Sequence, residues 1–210
     1  MTLDTAYMIT ALVTMFVVID PIGLAPLFIA LTQGMTPAER RRVAIHAVTV
    51  AGIVLILFAF FGEAVLEFVG ISMPAFRIAG GILLFLTALD MLFERRSKRR
   101  EDRTEDEEID DPSVFPLAIP LIAGPGSSAS IILLIGEKPG GEWLLMVLPI
   151  TALTLLVLML SLMASSYLDR LIGKKGIDVI TRILGMLLAA LSVQFVLDGL
   201  SAFGFGPGAG

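Results

Sequence analysis

The stretch Ile19-Asp20-Pro21-Ile22-Gly23 decides the fold, because it interrupts a long apolar run near its middle. In the other half of the chain, Ala123-Gly124-Pro125-Gly126-Ser127-Ser128 interrupts a second apolar run in the same way. Proline removes a backbone donor and glycine loosens a helix, so an apolar helix must stop and restart at each stretch. Lipid offers no replacement hydrogen bonds, and such backbone is therefore buried in protein or lines a cavity. Two interrupted spans at corresponding places in two halves point to a transporter binding site.

The composition predicts a membrane protein. Hydrophobic residues make up 56% of the 210 residues, and the mean hydropathy is +0.91. Six apolar runs approach the length that crosses about 30 Å of hydrocarbon; they cover residues 5–31, 43–68, 72–93, 113–136, 143–168 and 176–200. The runs are continuous and do not alternate as barrel strands do. We therefore expect an all-α polytopic membrane protein with six transmembrane helices, and the absence of cysteine excludes disulfides and thiolate chemistry.

The two halves of the chain show signs of an internal repeat. Arg77-Ile78-Ala79-Gly80 matches Arg182-Ile183-Leu184-Gly185, and nearly the same offset lays Pro21 on Pro125. Each half holds three spans, and after an odd number of crossings a second copy enters the membrane from the opposite face. We therefore predict two inverted three-helix repeats with interrupted helices 1 and 4.

This repeat divides the chain into four parts. Residues 1–93 form the first repeat and residues 113–203 the second, while 204–210 form a glycine-rich flexible tail. Residues 94–112 are a basic block followed by an acidic one. We interpret them as a solvated cytoplasmic linker rather than a regulatory docking segment.

The distribution of positive charge predicts the orientation. All but three of the 15 lysine and arginine residues lie in the loops after spans one, three and five. The positive-inside rule makes those loops cytoplasmic and places both termini outside, in a multi-pass protein of the cell (inner or plasma) membrane. Because the basic residues are membrane anchors, the bilayer is the expected partner and nucleic acid is not.

Several motifs together resemble the MarC family of integral membrane proteins, whose better understood branch is similar to small neutral amino acid transporters. The motifs are Asp20-Pro21-Ile22-Gly23, Arg77-Ile78-Ala79-Gly80-Gly81, Pro116-Leu117-Ala118-Ile119-Pro120, Ala123-Gly124-Pro125-Gly126 and Val193-Gln194-Phe195. The resemblance runs from the first span to the sixth. It implies a secondary transporter of small neutral amino acids such as glycine or alanine, with a proton or Na⁺ as coupling ion and without a bound cofactor.

The chemistry of the breaks is compatible with such a substrate. A half-helix that restarts inside the membrane presents free N–H groups and the positive end of its dipole, which attract a carboxylate. Glycines beside the site admit a small ligand, and two serine hydroxyls can add donors. The predicted substrate-binding residues are Asp20, Pro21, Gly23, Gly124, Pro125, Gly126, Ser127 and Ser128. The alternative is a pair of structural kinks.

Asp20 has three interpretations, because an acid deep in a span has to be protonated, paired or hydrated. It carries the coupling proton or a cation, it pairs with the substrate ammonium, or it caps the restarting helix, where Asp is a favoured residue.

Three further polar residues are candidates for coupling or gating: Arg77, Arg182 and Gln194. The two arginines occupy equivalent places at opposite membrane faces, and anchoring at the membrane boundary is their alternative role. Gly80 and Gly81, one turn after Arg77, predict close packing of another helix.

Other classes of function remain open to different degrees. We do not expect an enzyme or a metal site, because no nucleophile with a base and no metal-ligand spacing is present. A channel or an exporter of another small solute is the alternative function, since ion pores also use interrupted helices. A scaffold role and assembly into a homo-oligomer are left open.

Overall fold

The computed structural model describes residues 5–93, 111–136 and 142–205. These residues form helical segments joined by turns: α1 (Thr5–Ile19), α2 (Leu24–Leu31), α3 (Pro37–Val69), α4 (Met73–Leu92), α5 (Ser113–Ile122), α6 (Pro125–Ile135), α7 (Glu142–Met163) and α8 (Ser165–Ala202). Within these ranges, five stretches are long and apolar enough to cross a membrane, and the bent pair α5–α6 makes a sixth. The all-α polytopic class is therefore confirmed.

The surface of the helices is apolar, as a lipid environment requires. On α3, Ala51 and Leu55 are fully buried, whereas Leu57, Phe60 and Phe61 are more than half exposed. A soluble protein rarely exposes a contiguous apolar surface of this kind. The exposed side of α3 is therefore a lipid-facing surface.

Two helices begin or end differently from their apolar runs. α3 begins at Pro37 rather than at residue 43, because the Thr36 hydroxyl accepts the Glu39 N–H at 3.3 Å and the Glu39 carboxylate accepts the Thr36 N–H at 2.7 Å. This reciprocal capping extends the helix over the arginines at 40–42. α7 ends at Met163, and the last residues assigned to the fifth run belong to α8, which bends at Gly173 before its membrane span starts at Lys175.

Side-chain contacts fix which helix ends lie together. We call the end of the bundle next to the segment between α4 and α5 the linker end, and the opposite end the distal end. At the linker end, the His46 Nδ1 lies 2.8 Å from the Ser113 Oγ, which joins α3 to α5. At the distal end, the Tyr7 hydroxyl donates to the Leu134 carbonyl at 2.6 Å, which joins α1 to α6. The second and fourth spans therefore start at the linker end, and the first span starts at the distal end.

α4 and α8 pack so closely that backbone meets backbone. A methyl carbon on each of three glycines would lie 2.8, 3.3 or 2.9 Å from a carbonyl oxygen of the other helix; these pairs are Gly81 with Ser192, Gly185 with Ala88, and Gly199 with Pro74. The contacts recur every seven residues and run in opposite directions along the two helices. We call this contact the α4–α8 seam. Gly80 packs instead on Leu133 of α6, so the expectation of close packing at Gly80 and Gly81 is confirmed.

The third and sixth spans are antiparallel in this seam, and an inverted repeat requires that arrangement. The repeat itself stays a prediction. Nearly all of the predicted linker, residues 94–112, and most of the predicted tail, residues 204–210, lie outside the described residues.

Candidate functional site

The first break is a capped turn. Asp20 is 1% exposed and has a φ of 54°, in the left-handed region that Asp tolerates better than most residues. Its Oδ1 accepts the Gly23 N–H at 3.0 Å, and its carbonyl accepts the Leu24 N–H at 3.1 Å. A side chain on Gly23 would overlap the Asp20 carboxylate, so only glycine fits there. This geometry favours the helix cap among the three interpretations of Asp20, and all three stay predictions.

The second break is longer than the sequence predicts. It starts at Phe115 rather than at Ala123, because Phe115 and Ile119 have extended backbones, with ψ of 127° and 124°. Each of these residues precedes a proline, whose ring disfavours a helical conformation in the residue before it. The Ala123 N–H reaches back five residues to the Ala118 carbonyl at 2.9 Å, a wider turn than in an α-helix. α5 is thus irregular throughout, and it meets α6 at a bend of 49°.

Ser127 closes the second break from within. Its Oγ accepts the Gly124 N–H at 3.0 Å and donates to the Ile122 carbonyl at 2.7 Å. The Ser128 N–H donates to the Gly124 carbonyl at 3.0 Å. The Ser127 hydroxyl is therefore engaged with the backbone of the break. The N–H groups of Gly126 and Ser127 belong to the first turn of α6, which has no preceding helical carbonyls to bind.

The two breaks lie against each other. A methyl carbon on Gly126 would lie 3.3 Å from the Val18 Cγ1, two residues before Asp20, and 3.5 Å from the Thr87 Oγ1. Val18 also packs in a cluster that joins α1 to α4 and α8; its other members are Val17, Leu84, Ala88, Met91 and Leu188. The first, third and fourth spans therefore meet at Gly126.

A cavity of about 470 Å³ extends from this junction as far as Pro116 and Asp90, on the side of the linker end. One wall is the second break, with Pro116, Pro120 and residues 124–127, and Val18 and Leu27 of the first span complete it. Four predicted substrate-binding residues line the cavity: Gly124, Pro125, Gly126 and Ser127. The other four, Asp20, Pro21, Gly23 and Ser128, lie outside its lining.

The opposite wall is a face of α4, whose residues were not among the predicted site residues. Leu83, Leu86, Thr87 and Asp90 recur at helical spacing and line the cavity together. The leucines form its exposed rim, whereas Asp90 is partly buried. The sequence feature that could have identified this wall is Asp90, an acid that lies one turn after Thr87 and still inside the third span.

The three predicted coupling or gating residues do not line this cavity. Arg77 is partly buried near the distal end of α4, and Arg182 is exposed near the linker end of α8. Gln194 is also exposed, and its Nε2 donates to the Asp198 Oδ1 at 2.7 Å within α8.

A polar cluster at the linker end holds the start of α5. The Ser113 N–H donates to the Asp111 Oδ1 at 3.0 Å, and the Ser113 hydroxyl contacts His46. The hydrogen bonds from the Ser113 hydroxyl and N–H lower the pKa of Asp111, and the charges of His46 and Arg42 act in the same direction. The carboxylate is therefore ionised at neutral pH and fixes the entry of the fourth span.

Comparison with known proteins assigns the family. The profile of the MarC family integral membrane proteins matches residues 5–203. A UPF0056 membrane protein of Methanocaldococcus jannaschii is 39% identical over 201 residues, covering 94% of this chain and 98% of its own. The UPF0056 inner membrane protein YhgN of Escherichia coli is 33% identical over 194 residues, covering 91% of this chain and 95% of its own. No solved structure matches the chain significantly. The protein therefore belongs to the MarC family of integral membrane proteins.

Proposed function

We propose that this protein is a secondary transporter of small neutral amino acids and that the substrate binds in the cavity at the second break. The observation that carries the proposal is the position of this cavity. It ends on the first turn of α6 and has a carboxylate, Asp90, on its other wall. A zwitterion needs both a donor for its carboxylate and an acceptor for its ammonium group.

The first turn of α6 supplies the anion-binding part of the site. The N–H groups of Gly126 and Ser127 point toward the N-terminus of a helix that starts inside the membrane, where the dipole favours negative charge. The Ser127 hydroxyl shapes this turn through its bonds to Gly124 and Ile122. Its role in the proposed site is thus to hold the donors in place.

Asp90 supplies the cation-binding part. It lies one turn from Thr87, which faces Gly126, and the rise of a helix puts the two about 4.5 Å apart along the axis of α4. Because Thr87 lies beside Gly126, Asp90 is about one helical turn away from the N–H donors of α6 along this axis, which suits the two ends of a small amino acid. A carboxylate has several lone pairs and can accept an ammonium group beside another partner. Asp90 thereby binds the substrate ammonium, a role for which Asp20 was also a candidate.

The narrow space at Gly126, rather than the volume of the whole cavity, is the reason for which we propose glycine or alanine as substrate. Gly126 has no side chain, so a ligand can approach the backbone, while Val18 and Leu84 close the space beyond it. The E. coli relative is named as an inner membrane protein, and we propose the same location here, with both termini outside. A proton or Na⁺ is the proposed coupling ion, because a carboxylate within a membrane span marks the path of a cation.

The decisive experiment is uptake of radiolabelled glycine and alanine by purified protein in liposomes, under an imposed pH or Na⁺ gradient. We expect saturable accumulation by the wild type. Asp90→Asn should weaken binding by about tenfold or more, because a charged hydrogen bond contributes about 1.5–3 kcal/mol. If the wild type accumulated none of a panel of small neutral amino acids, the proposal would be rejected.

A matched pair of glycine variants tests the location of the site. Gly126→Ala places a methyl carbon 3.3 Å from Val18 beside the cavity, and Gly52→Ala places one 3.4 Å from Leu155 between α3 and α7. Both changes crowd a helix contact by one carbon. Only Gly126→Ala should lower the affinity for glycine. Equal affinities in the two variants would show that the substrate binds elsewhere.

A further inference from the structure

Thr14 carries a buried hydroxyl without a protein partner. The residue lies on α1 with no solvent exposure, and its Oγ1 has no hydrogen-bond partner among the described residues. Four other helical threonines bond to the carbonyl four residues earlier, at 2.9–3.0 Å: Thr10, Thr87, Thr151 and Thr154. Thr181 on α8, away from this interface, shares the property of Thr14. The Thr14 hydroxyl does not make this local bond, although the helix offers it.

Ser130 on α6 has the same property. It is fully buried, and its Oγ also has no partner within the described part of the chain. Two other buried serines do have partners, since Ser127 bonds to the second break and Ser192 donates to the Ala189 carbonyl at 2.7 Å.

The contacts of α1 with α6 place Thr14 and Ser130 at a similar height along the two helices. Two of the contacts between these helices are Tyr7 with Leu134 and Val18 with Gly126. These contacts make the helices antiparallel. Thr14 lies one turn from Val18 toward the distal end, and Ser130 lies one turn from Gly126 in the same direction. Thr14 and Ser130 therefore stand at the same level of one interface.

This level lies directly beyond the cavity. Val18 and Gly126 both line the cavity, and the interface of α1 with α6 continues from them to the distal end. A buried polar group without a partner costs about 1–3 kcal/mol. Valine and alanine would fill the same space without that cost. The hydroxyls thus destabilise the closed interface, which calls for a different arrangement in which they have polar partners.

We propose that α1 and α6 separate at this level in a second state and that Thr14 and Ser130 then contact the solute on its way between the cavity and the distal end. This inference rests on the proposed function. It identifies the part of the solute's path, between the cavity and the distal end, that is closed in the structure. Two hydroxyls can each donate and accept, which matches a small zwitterion with both kinds of group. The ligand-free protein exchanges between the two states, so water enters the interface of α1 with α6 intermittently.

Cysteine labelling tests the opening without any substrate. The chain has no cysteine, so Thr14→Cys and Ser130→Cys each introduce a unique thiol of nearly the same size. The control is Ala129→Cys, one residue away, where the side chain faces Gly80 of α4 and is 4% exposed. In unsealed membranes, a water-soluble thiol reagent should modify positions 14 and 130 at least ten times faster than position 129. Equal rates at the three positions would overturn the proposed opening.

Transport tests the contact with the solute. In the double variant Thr14→Val with Ser130→Ala, the affinity for glycine should stay within twofold of the wild type, whereas the rate of uptake should fall at least tenfold. Uptake at the wild-type rate would overturn the contact. Failure of the proposed function is a different result, because then the wild type neither binds nor accumulates the amino acids, and the labelling alone decides whether the interface opens.

Discussion

Ser127 and Ser130 lie on the same helix, are both buried, and should respond in opposite ways to the same substitution. Ser127→Ala removes the acceptor of the Gly124 N–H and the donor to the Ile122 carbonyl. Each backbone group left unpaired in a buried place costs about 1–3 kcal/mol, so the two together should cost about 2–6 kcal/mol. Ser130→Ala removes a hydroxyl that has no partner among the described residues, and its cost should be close to zero or negative.

Thermal unfolding in one detergent, followed by circular dichroism, measures the difference. For a chain of this size, a loss of 1 kcal/mol lowers the melting temperature by about 2–4 °C, so Ser127→Ala should melt at least about 4 °C below the wild type. Ser130→Ala should melt at or above the wild-type temperature. If both variants had the same melting temperature, the Ser127 hydroxyl would not hold the second break closed, and the reasoning would be refuted.

Three further predictions concern the first break, the linker end and the orientation. Gly23→Ala should lower the melting temperature more than Gly52→Ala, because its methyl group would overlap the capping carboxylate; equal melting temperatures would contradict the cap. Asp111→Ala should destabilise the protein at pH 7, since the pKa of this carboxyl is lower in the folded state than in the unfolded one. The stabilisation is complete above the ordinary pKa and is lost as the pH falls through the folded value, so the variant and the wild type should converge in acid; a difference that persisted there would exclude this cause. A cysteine at Ser97 should be shielded from an impermeant thiol reagent outside intact cells and one at Ala209 should react, and the reverse pattern would invert the orientation.

The class of fold and the number of spans could be predicted because they depend on the length and continuity of apolar runs, which the sequence states directly. The start of α3 was not predicted, because it depends on capping and not on the apolar run. Thr36 and Glu39 make a capping box that carries the helix six residues beyond its apolar part, and hydropathy does not register capping. The breaks were located by their prolines and glycines, but the extended residues Phe115 and Ile119 were not.

The candidate site was predicted in part. Residues 124–127 were found because an interrupted helix has a sequence signature of its own. Thr87 and Asp90 were missed, since their place on the cavity wall depends on how α4 packs against another span. The role of Asp20 could not be decided from sequence, because a carboxylate near a helix start suits a cap, a proton carrier and a cation ligand equally well.

The α4–α8 seam has a mechanical consequence. With carbonyl oxygens lying against glycines every seven residues, the backbones of the two helices touch at three levels of the seam, and at these levels no side chain can yield between glycine and carbonyl, so the pair is stiff there. Sliding by a single residue would drive a neighbouring side chain into a carbonyl. Large displacements therefore have to occur at contacts made by side chains, such as those of α1 with α6. The face of α4 that carries Asp90 then serves as a fixed reference, against which the interrupted helices can bend.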